Sequence, residues 1–524
     1  MSIQSEQSTK CLIKPSKYHD SVTLMEVARE LTQLPGVLDA AVVMATEANK
    51  GILREAGLLL PEVERAGAND LVIVVQAESD AVADRGLQAA EQHLARRPEA
   101  GSPGLAFQSR TIQGAVRANA TANLAVISVA GQYAAAEAWN ALHSGLHVLL
   151  FSDNVTIEDE VALKKHAAAH GLLMMGPDCG TAIINGVALG FANVVPRGPV
   201  GIVAAAGTGL QEVSTLLAKL GVGISQGIGT GGRDLKEQVG GITMLEGLKA
   251  LQADPQTEVL LLVSKPPAPA IAERMLEQVQ ASDKPTVVCF LGGDPGPVAA
   301  AGAIPARTLQ SAAYLAAAEV EGYGGPSADE VIERETADLK AQAADLRKRL
   351  KAGQRYLRGL FSGGTLVAEA LVIWEETLDD VRSNVAVAPR LSLTDTTHSQ
   401  GHCALDLGED EFTVGRPHPM IDNNLRIRRL MQEAADPEVA VVLLDVVLGY
   451  GAHSDPAGEL GPAIRRARQQ AADDGRALIV IASVTGTEGD PQRLSQQVRM
   501  LEEAGAVLAS CNAAAARLAG FVVD

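Results

Sequence analysis

At 524 residues the chain is too long for one hydrophobic core, and ordinary domain sizes give roughly three or four domains. Hydrophobic residues make up 47% and aromatics only 3%, with 51 glycines, so alanine, valine and leucine must do the packing, as in helices laid closely on parallel strands. A formal net charge of −19 opposes a polyanionic partner and excludes nucleic acid, so an anionic ligand has to be gripped locally, by backbone N–H groups and a few Arg or Lys side chains.

In chain order, the stretch SVTLMEVARELTQ at 21–33 carries helical periodicity, and the apolar runs at 40–45 and 71–76 read as strands of a small α+β domain at 1–112. From Asn123 short apolar strands alternate with amphipathic helices (NLAVISVAG, HVLLFSDN, VALKKHAAAHG, LLMMGPD), the pattern of βαβ units, assigned to 113–197. A second such unit starts at VGIVAAAGTGLQEV and spans 198–325 through VLLLVSKPP and TVVCFLGG. Residues 326–355 are charged and alanine-rich, which predicts a helical connector, and a third α/β unit occupies 356–524 with VAVVLLDVVLGYG and ALIVIASVTGTEGDP. The expected fold class is α/β, several Rossmann-like and flavodoxin-like parallel-sheet domains behind a small N-terminal α+β domain.

The five cysteines, Cys11, Cys179, Cys289, Cys403 and Cys511, are odd in number and widely spaced, and read as reduced thiols. No leader pattern and no uncharged stretch of ~18 apolar residues is present, so the expected location is the cytoplasm, without membrane partners.

The strongest local signal is GIVAAAGTGLQE, where a strand runs into Gly207-Thr208-Gly209 and then a helix. Such a turn offers unpaired N–H groups and the positive end of a helix dipole to an anion, although the same turn would also serve simply to pack helix on sheet. The next turn brings Gly229, Gly231 and Gly232 followed by Arg233 and Asp234; the guanidinium can grip a phosphate or carboxylate with two parallel hydrogen bonds, or the pair can merely cap a helix. Lys265, in SKPP at the end of a third strand, would reach the same sheet edge. Asp178 in MGPDCGT is a further candidate ligand of the substrate, whereas Cys179 beside it reads as a packing residue.

In the last unit, VGRPHPMID concentrates Arg416, His418 and Asp422 in a proline-stiffened loop. Asp445 in LLDVVLGYG and Thr485 in SVTGTEGDP repeat the strand-end logic and are expected among the anion ligands. Asp395, His398 and His402 follow no standard metal spacing, and no metal site and no cofactor are expected.

Residues from about 123 to 310 resemble the α subunit of succinyl-CoA synthetase and the ADP-forming acyl-CoA synthetases, with NLAVISVA, LLMMGPDCG, GIVAAAGTG, GIGTGGRD and KPTVVCFLGG in the same order. From about residue 20 to the end the chain is still more similar to the FdrA family, through MGPDCGTAIINGVALGFANV, IGTGGRDLKEQVGGI, VSKPPA, FSGGTL, VGRPHPMID, LLLDVVLGYGA and VTGTEGDPQ. The first resemblance implies a CoA-binding-type Rossmann-like domain at 113–197 and succinyl-CoA-ligase-type, flavodoxin-like domains at 198–325 and 356–524. It also marks two departures. Ala300 stands where the synthetases carry the histidine that becomes phosphorylated, and Lys265 where they carry its supporting glutamate; an ATP-grasp domain and the CoA-binding glycine loop are not recognisable.

The second resemblance implies a subunit of oxamate carbamoyltransferase in allantoin breakdown, converting oxalurate and phosphate to carbamoyl phosphate and oxamate, active with partner subunits. Under that reading Gly207, Thr208 and Gly209 cradle phosphate, with Gly231, Gly232, Asp234, Asp178, Asp445 and Thr485 lining the substrate site. Arg233 and Lys265 stabilise charge developing in transfer, and Arg416 with His418 holds the oxamate end or polarises the carbamoyl carbonyl. The alternatives are a CoA ligase of the acyl-CoA synthetase type and a non-catalytic scaffold or ligand-sensing subunit.

Overall fold

The computed structural model describes residues 8–17, 19, 21–95, 109–386, 388–413 and 417–524. Contacts divide the chain into two compact units, one made of 1–118, 128–130 and 409–418, the other of 119–127, 131–408 and 419–524.

In the first unit β1 (Ser8–Lys14), β2 (Val37–Met44) and β3 (Leu71–Ala77) form an antiparallel sheet in the order β1-β3-β2. The central strand is apolar on both faces, and its period-two alternation sorts the contacts. Leu71, Ile73 and Val75 pack with Leu24, Val27 and Leu31 of the helix Ser21–Thr32, while Val72 and Val74 pack with Leu53, Leu58 and Val63. β1 has no counterpart in the sequence reading: STKCLIK is a half-buried edge strand, and its mixed side chains give a weak pattern.

The second unit holds three parallel or largely parallel sheets among its described residues. β4 (Leu124–Ile127), β5 (His147–Leu150) and β6 (Met174–Met175) lie side by side in parallel. Next come β7 (Thr181–Ile184), β8 (Val187–Gly190), β9 (Arg197–Ala204), β10 (Ile224–Gly229), β11 (Val259–Ser264), β12 (Thr286–Phe290) and β13 (Ile304–Pro305), in the spatial order β13-β12-β11-β9-β10-β7-β8. Strands β9 to β13 are parallel. The β7–β8 hairpin turns at Asn185 and Gly186, both with left-handed φ, and β7 pairs antiparallel with β10. Residues 181–190 therefore belong to this sheet, on the far side of the boundary that the sequence reading puts at 197.

The last sheet is parallel throughout: β14 (Tyr356–Phe361), β15 (Val381–Ser383), β16 (His402–Asp406), β17 (Val439–Val447), β18 (Ile479–Thr485) and β19 (Val507–Ala509), ordered β15-β16-β14-β17-β18-β19. It shares one core with the seven-stranded sheet. Leu210 and Val213 of the helix Gly207–Lys219 pack with Leu366, Val367 and Trp374 of the helix Gly364–Trp374. Trp374, fully buried, donates from Nε1 to the carbonyl of Ala516 at 2.8 Å. The helix Ala328–Arg347, opened by a reciprocal Ser327–Glu330 cap, occupies the stretch read as a connector and adds Leu339, Ala343 and Leu346 to that core. No helix among the described residues is long and apolar enough to cross a membrane.

Candidate functional site

In the seven-stranded sheet the chain passes from β9 to β10 on one side and then returns to β11 on the other side of β9. Open parallel sheets form a crevice at such a reversal, outside the carboxyl ends of the two strands. Here those ends are the turn at 205–209 and the pair Ser264-Lys265. The helix Gly207–Lys219 starts from Ala206, which has no side chain able to cap it. The first N–H groups of a helix have no partner within it, so Gly207, Thr208 and Gly209 present amides at the positive end of the dipole. Gly207 is exposed, and so is Lys265. Glycine is required at 209 by a close approach: a Cβ there would lie 2.8 Å from Cγ2 of Thr365.

The six-stranded sheet reverses in the same way between β14 and β17, but this second crevice is filled. Asp445 of β17 accepts hydrogen bonds from Ser362 N (2.7 Å), Ser362 Oγ (2.9 Å) and Gly363 N (2.9 Å), and pairs with Arg426 at 3.1 Å. Both charged side chains are buried, and burial draws the Arg426 guanidinium below its ordinary value while Asp445 opposes the shift. The two helix starts meet, Thr365 N donating to Thr208 Oγ1 at 3.3 Å. One reversal point thus leaves Gly207 and Lys265 exposed, and its counterpart is closed by the protein's own carboxylate.

The remaining expected ligands separate by environment. Asp445, as just described, and Thr485, whose hydroxyl donates to Glu212, are both buried and engaged inside the protein. Asp234 is fully buried as well: it accepts from Lys164 Nζ (2.7 Å), Thr243 N (3.2 Å) and Met244 N (2.8 Å), which starts the helix Ile242–Ala253. Its neighbour Arg233 pairs with Glu160 at 2.9 Å and donates to the carbonyl of Val155 at 2.8 Å, leaving 28% of the side chain exposed. Glu160 also holds Lys164 at 2.9 Å. This group of four charges, three of them buried, ties the helix Ile157–Ala169 to the glycine turn, and sequence reading missed its Glu160 and Lys164 because an i,i+4 pair in a helix reads as a surface pair.

At that turn Gly231, with φ +83°, lets its backbone pass so close to Pro177 that a Cβ would lie 2.3 Å from the Pro177 carbonyl oxygen. Asp178 is exposed, and its carboxylate is 3.9 Å from where a Cβ on Gly232 would stand. Cys179 behind it is buried, which pushes its thiol up to about 12 and removes it as a nucleophile.

Arg416 lies outside the described residues, and His418 groups with the first compact unit, so neither is assigned to this edge. Asp422 accepts from Asn424 N at 2.7 Å, at the start of the helix Asn424–Ala435. Asp395 and His398 are an exposed pair 3.3 Å apart, whereas His402 accepts from Leu357 N at 3.2 Å. Among the described residues no group of three or more His, Cys, Asp or Glu is arranged to hold a metal ion.

Comparison with known proteins adds the following. Residues 360–522 match a family described as CoA-ligase, residues 197–292 the CoA binding domain, and residues 7–110 the AllF, heavy metal-associated domain. The chain is 48% identical over 507 residues, 96% of each chain, to the Uncharacterized protein YahF of Escherichia coli K12. It is 28% identical over 218 residues to the Malate--CoA ligase subunit alpha of Methylorubrum extorquens, covering 39% of this chain and 72% of that one. A solved structure, the dinucleotide forming Acetyl-coenzyme A synthetase 1 of Ca. Korarchaeum cryptofilum, aligns over 76% of this chain and 82% of its own at 14% identity and a TM-score of 0.33, a likeness too low to argue from. The donors in 7–110 do not suit a heavy-metal ion: the segment has one cysteine, Cys11, in the middle of β1 opposite Val74, and two histidines, His19 and His93, the latter paired with Glu30, and among the described residues no three such donors converge.

Proposed function

From the premise that the chain belongs to the family of Escherichia coli YahF, a succinyl-CoA synthetase α-like family with an AllF-type N-terminal domain, we propose that it is a subunit of an oxamate carbamoyltransferase. The observation that carries this reading is the contrast between the open, uncapped start of the helix Gly207–Lys219 and the absence of an imidazole at Ala300. A chain that can hold an anion but has no histidine at the carrier position suits direct attack by bound phosphate, without a phosphohistidine relay.

In this mechanism the amides of Gly207, Thr208 and Gly209 hold phosphate, and one of its oxygens bonds to the carbamoyl carbon of oxalurate. The C–N bond to the oxamate nitrogen then breaks, and that nitrogen takes up the proton that hydrogen phosphate gives up, yielding carbamoyl phosphate and oxamate. Lys265 and Arg233 offset the charge on the tetrahedral intermediate. Glu160 holds Arg233 directly, and Lys164 fixes the turn that carries it through Thr230 and Asp234.

A second reading, an acyl-CoA ligase, is favoured by the CoA-ligase match over 360–522. One assay separates the two. The chain is assembled with its partner subunits and supplied either with oxalurate and phosphate or with ATP, CoA and an organic acid. Carbamoyl phosphate release, lost at least 100-fold in Arg233→Ala, is the expected result; acyl-CoA formation in its place would reject the carbamoyltransferase.

A further inference from the structure

At the opposite edge of the six-stranded sheet, where β18 and β19 begin, lies a cavity of about 200 Å³ lined by Arg349, Arg468 and Arg476 over an apolar floor that includes Leu478, Val480 and Val507. Three guanidiniums around one small cavity run against the charge of a chain at −19. They come from three places in the sequence: just past the end of the helix Ala328–Arg347, within the helix Pro456–Asp473, and in the turn before β18. Arg476 is 7% exposed. Its two terminal nitrogens are taken by the carbonyls of Asp436 (3.2 Å) and Ala434 (2.9 Å) and by Asp474 (3.0 Å), but its Nε is buried with no acceptor. Arg468 reaches only the carbonyl of Ala504, at 3.4 Å, and lies across Gly505, where a Cβ would be 1.6 Å from its Nη1. Among the described residues neither Arg349 nor Arg468 forms an ion pair, and Asp345, one turn back along the chain, acts on Arg349 only at longer range.

A buried N–H without an acceptor costs about 1–3 kcal/mol, and a guanidinium presents its donors as a fork shaped for an oxyanion. A tetrahedral anion in the cavity would offer oxygens for both. The cavity is smaller than the roughly 300–1,000 Å³ of drug-sized ligand sites, which rules against a nucleotide or CoA. It also lies at the amino ends of the strands, away from the glycine-rich edge, where substrates of open parallel sheets bind. We propose that this cavity is a second, separate anion site that takes a phosphate group, free or carried on a small ester.

The test is calorimetric titration of inorganic phosphate, and in a parallel arm of glycerol phosphate, into the full chain at constant ionic strength. Wild type is compared with Arg349→Ala/Arg468→Ala and with the single surface change Arg349→Glu, which guards against a folding defect; melting curves check each variant. A class of phosphate sites that is weakened at least tenfold in both variants, while any second class persists, is the expected result. Phosphate binding identical in wild type and variants, or no binding to wild type, would overturn the proposal. Stronger binding of one probe identifies the source as free phosphate or ester. Neither arginine lies at the glycine-rich edge, so the outcome is independent of the carbamoyltransferase reading.

Discussion

Glu212 and Glu369 each reach across the shared core to start a helix of the opposite half. Glu212, on the helix Gly207–Lys219, accepts from Asn512 N at 3.0 Å, where the helix Asn512–Val523 of the six-stranded half begins. Glu369, on the helix Gly364–Trp374, accepts from Leu309 N at 2.6 Å, where the helix Leu309–Ala318 of the seven-stranded half begins. Asn512 Nδ2 also donates to Glu369 at 2.8 Å, so the two carboxylates share a partner. Each glutamate stands five residues after the glycine that opens its helix, and the two halves are related by this exchange.

The exchange predicts a pH dependence. Burial pushes Glu369 up to about 7 from an ordinary 4.5, and the charge of Glu212 adds to it, against the bonds from Asn512 and Leu309. A folded-state value above the unfolded one means that the folded protein holds a proton the unfolded chain has released. The resulting stability is complete below about 4.5 and is lost as pH rises through about 7, an effect of roughly 3 kcal/mol at most. Denaturant melts from pH 5 to 8 should therefore show wild type losing stability relative to Glu369→Gln. Parallel curves for the two proteins would mean that Glu369 does not titrate in that window.

Closure of the second crevice rests on Asp445 and Arg426. Replacing Asp445 with Asn leaves a buried guanidinium without its counter-charge, so the variant should lose about 3–5 kcal/mol in equilibrium unfolding. Removing both charges, as Asp445→Leu with Arg426→Met, should recover much of that loss. A single variant as stable as wild type would show that the carboxylate is not what holds Ser362 and Gly363.

Gly231 and Gly232 are adjacent and should respond oppositely. Alanine at 231 meets both a positive φ and a carbonyl oxygen 2.3 Å from its Cβ, and should cost about 1–3 kcal/mol while weakening phosphate binding at this edge. Alanine at 232 has its nearest neighbour 3.9 Å away and should be neutral or stabilising by up to about 1 kcal/mol. Equal melting temperatures for the two variants would contradict the close packing of the turn against Pro177.

What could be read from the sequence follows the range of each signal. The GTGLQEV turn was legible because glycines, a preceding apolar strand and a following helix lie within a dozen residues. Asp445 looked like a ligand of the same kind, since a carboxylate near a strand end looks the same whether it faces solvent or the start of a neighbouring helix. Its partners Ser362, Gly363 and Arg426 are 83, 82 and 19 residues away. The pairing of Lys164 with Asp234 spans 70 residues, so the structural use of Asp234 was equally hidden. The β7–β8 hairpin lies before the boundary that the sequence suggests at 197, because its antiparallel pairing to β10 leaves no local trace.

Restoring histidine at Ala300 should not restore CoA ligation. Ala300 closes the helix Pro295–Ala300 and is exposed, so an imidazole has room and the variant should fold. The obstacle is the surrounding charge. The resemblance to the synthetases sets Lys265 in place of a glutamate, so on that reading an ammonium would replace the carboxylate that orients the imidazole N–H. The second helix start, which could stabilise a phosphoryl group from the other side, is already occupied by Asp445, whose negative charge would repel it. Incubation of Ala300→His with ATP, CoA and succinate should give no acyl-CoA above the wild-type background. Its formation would mean that the synthetase machinery survives apart from one side chain, and the case for direct phosphorolysis would lose its main support.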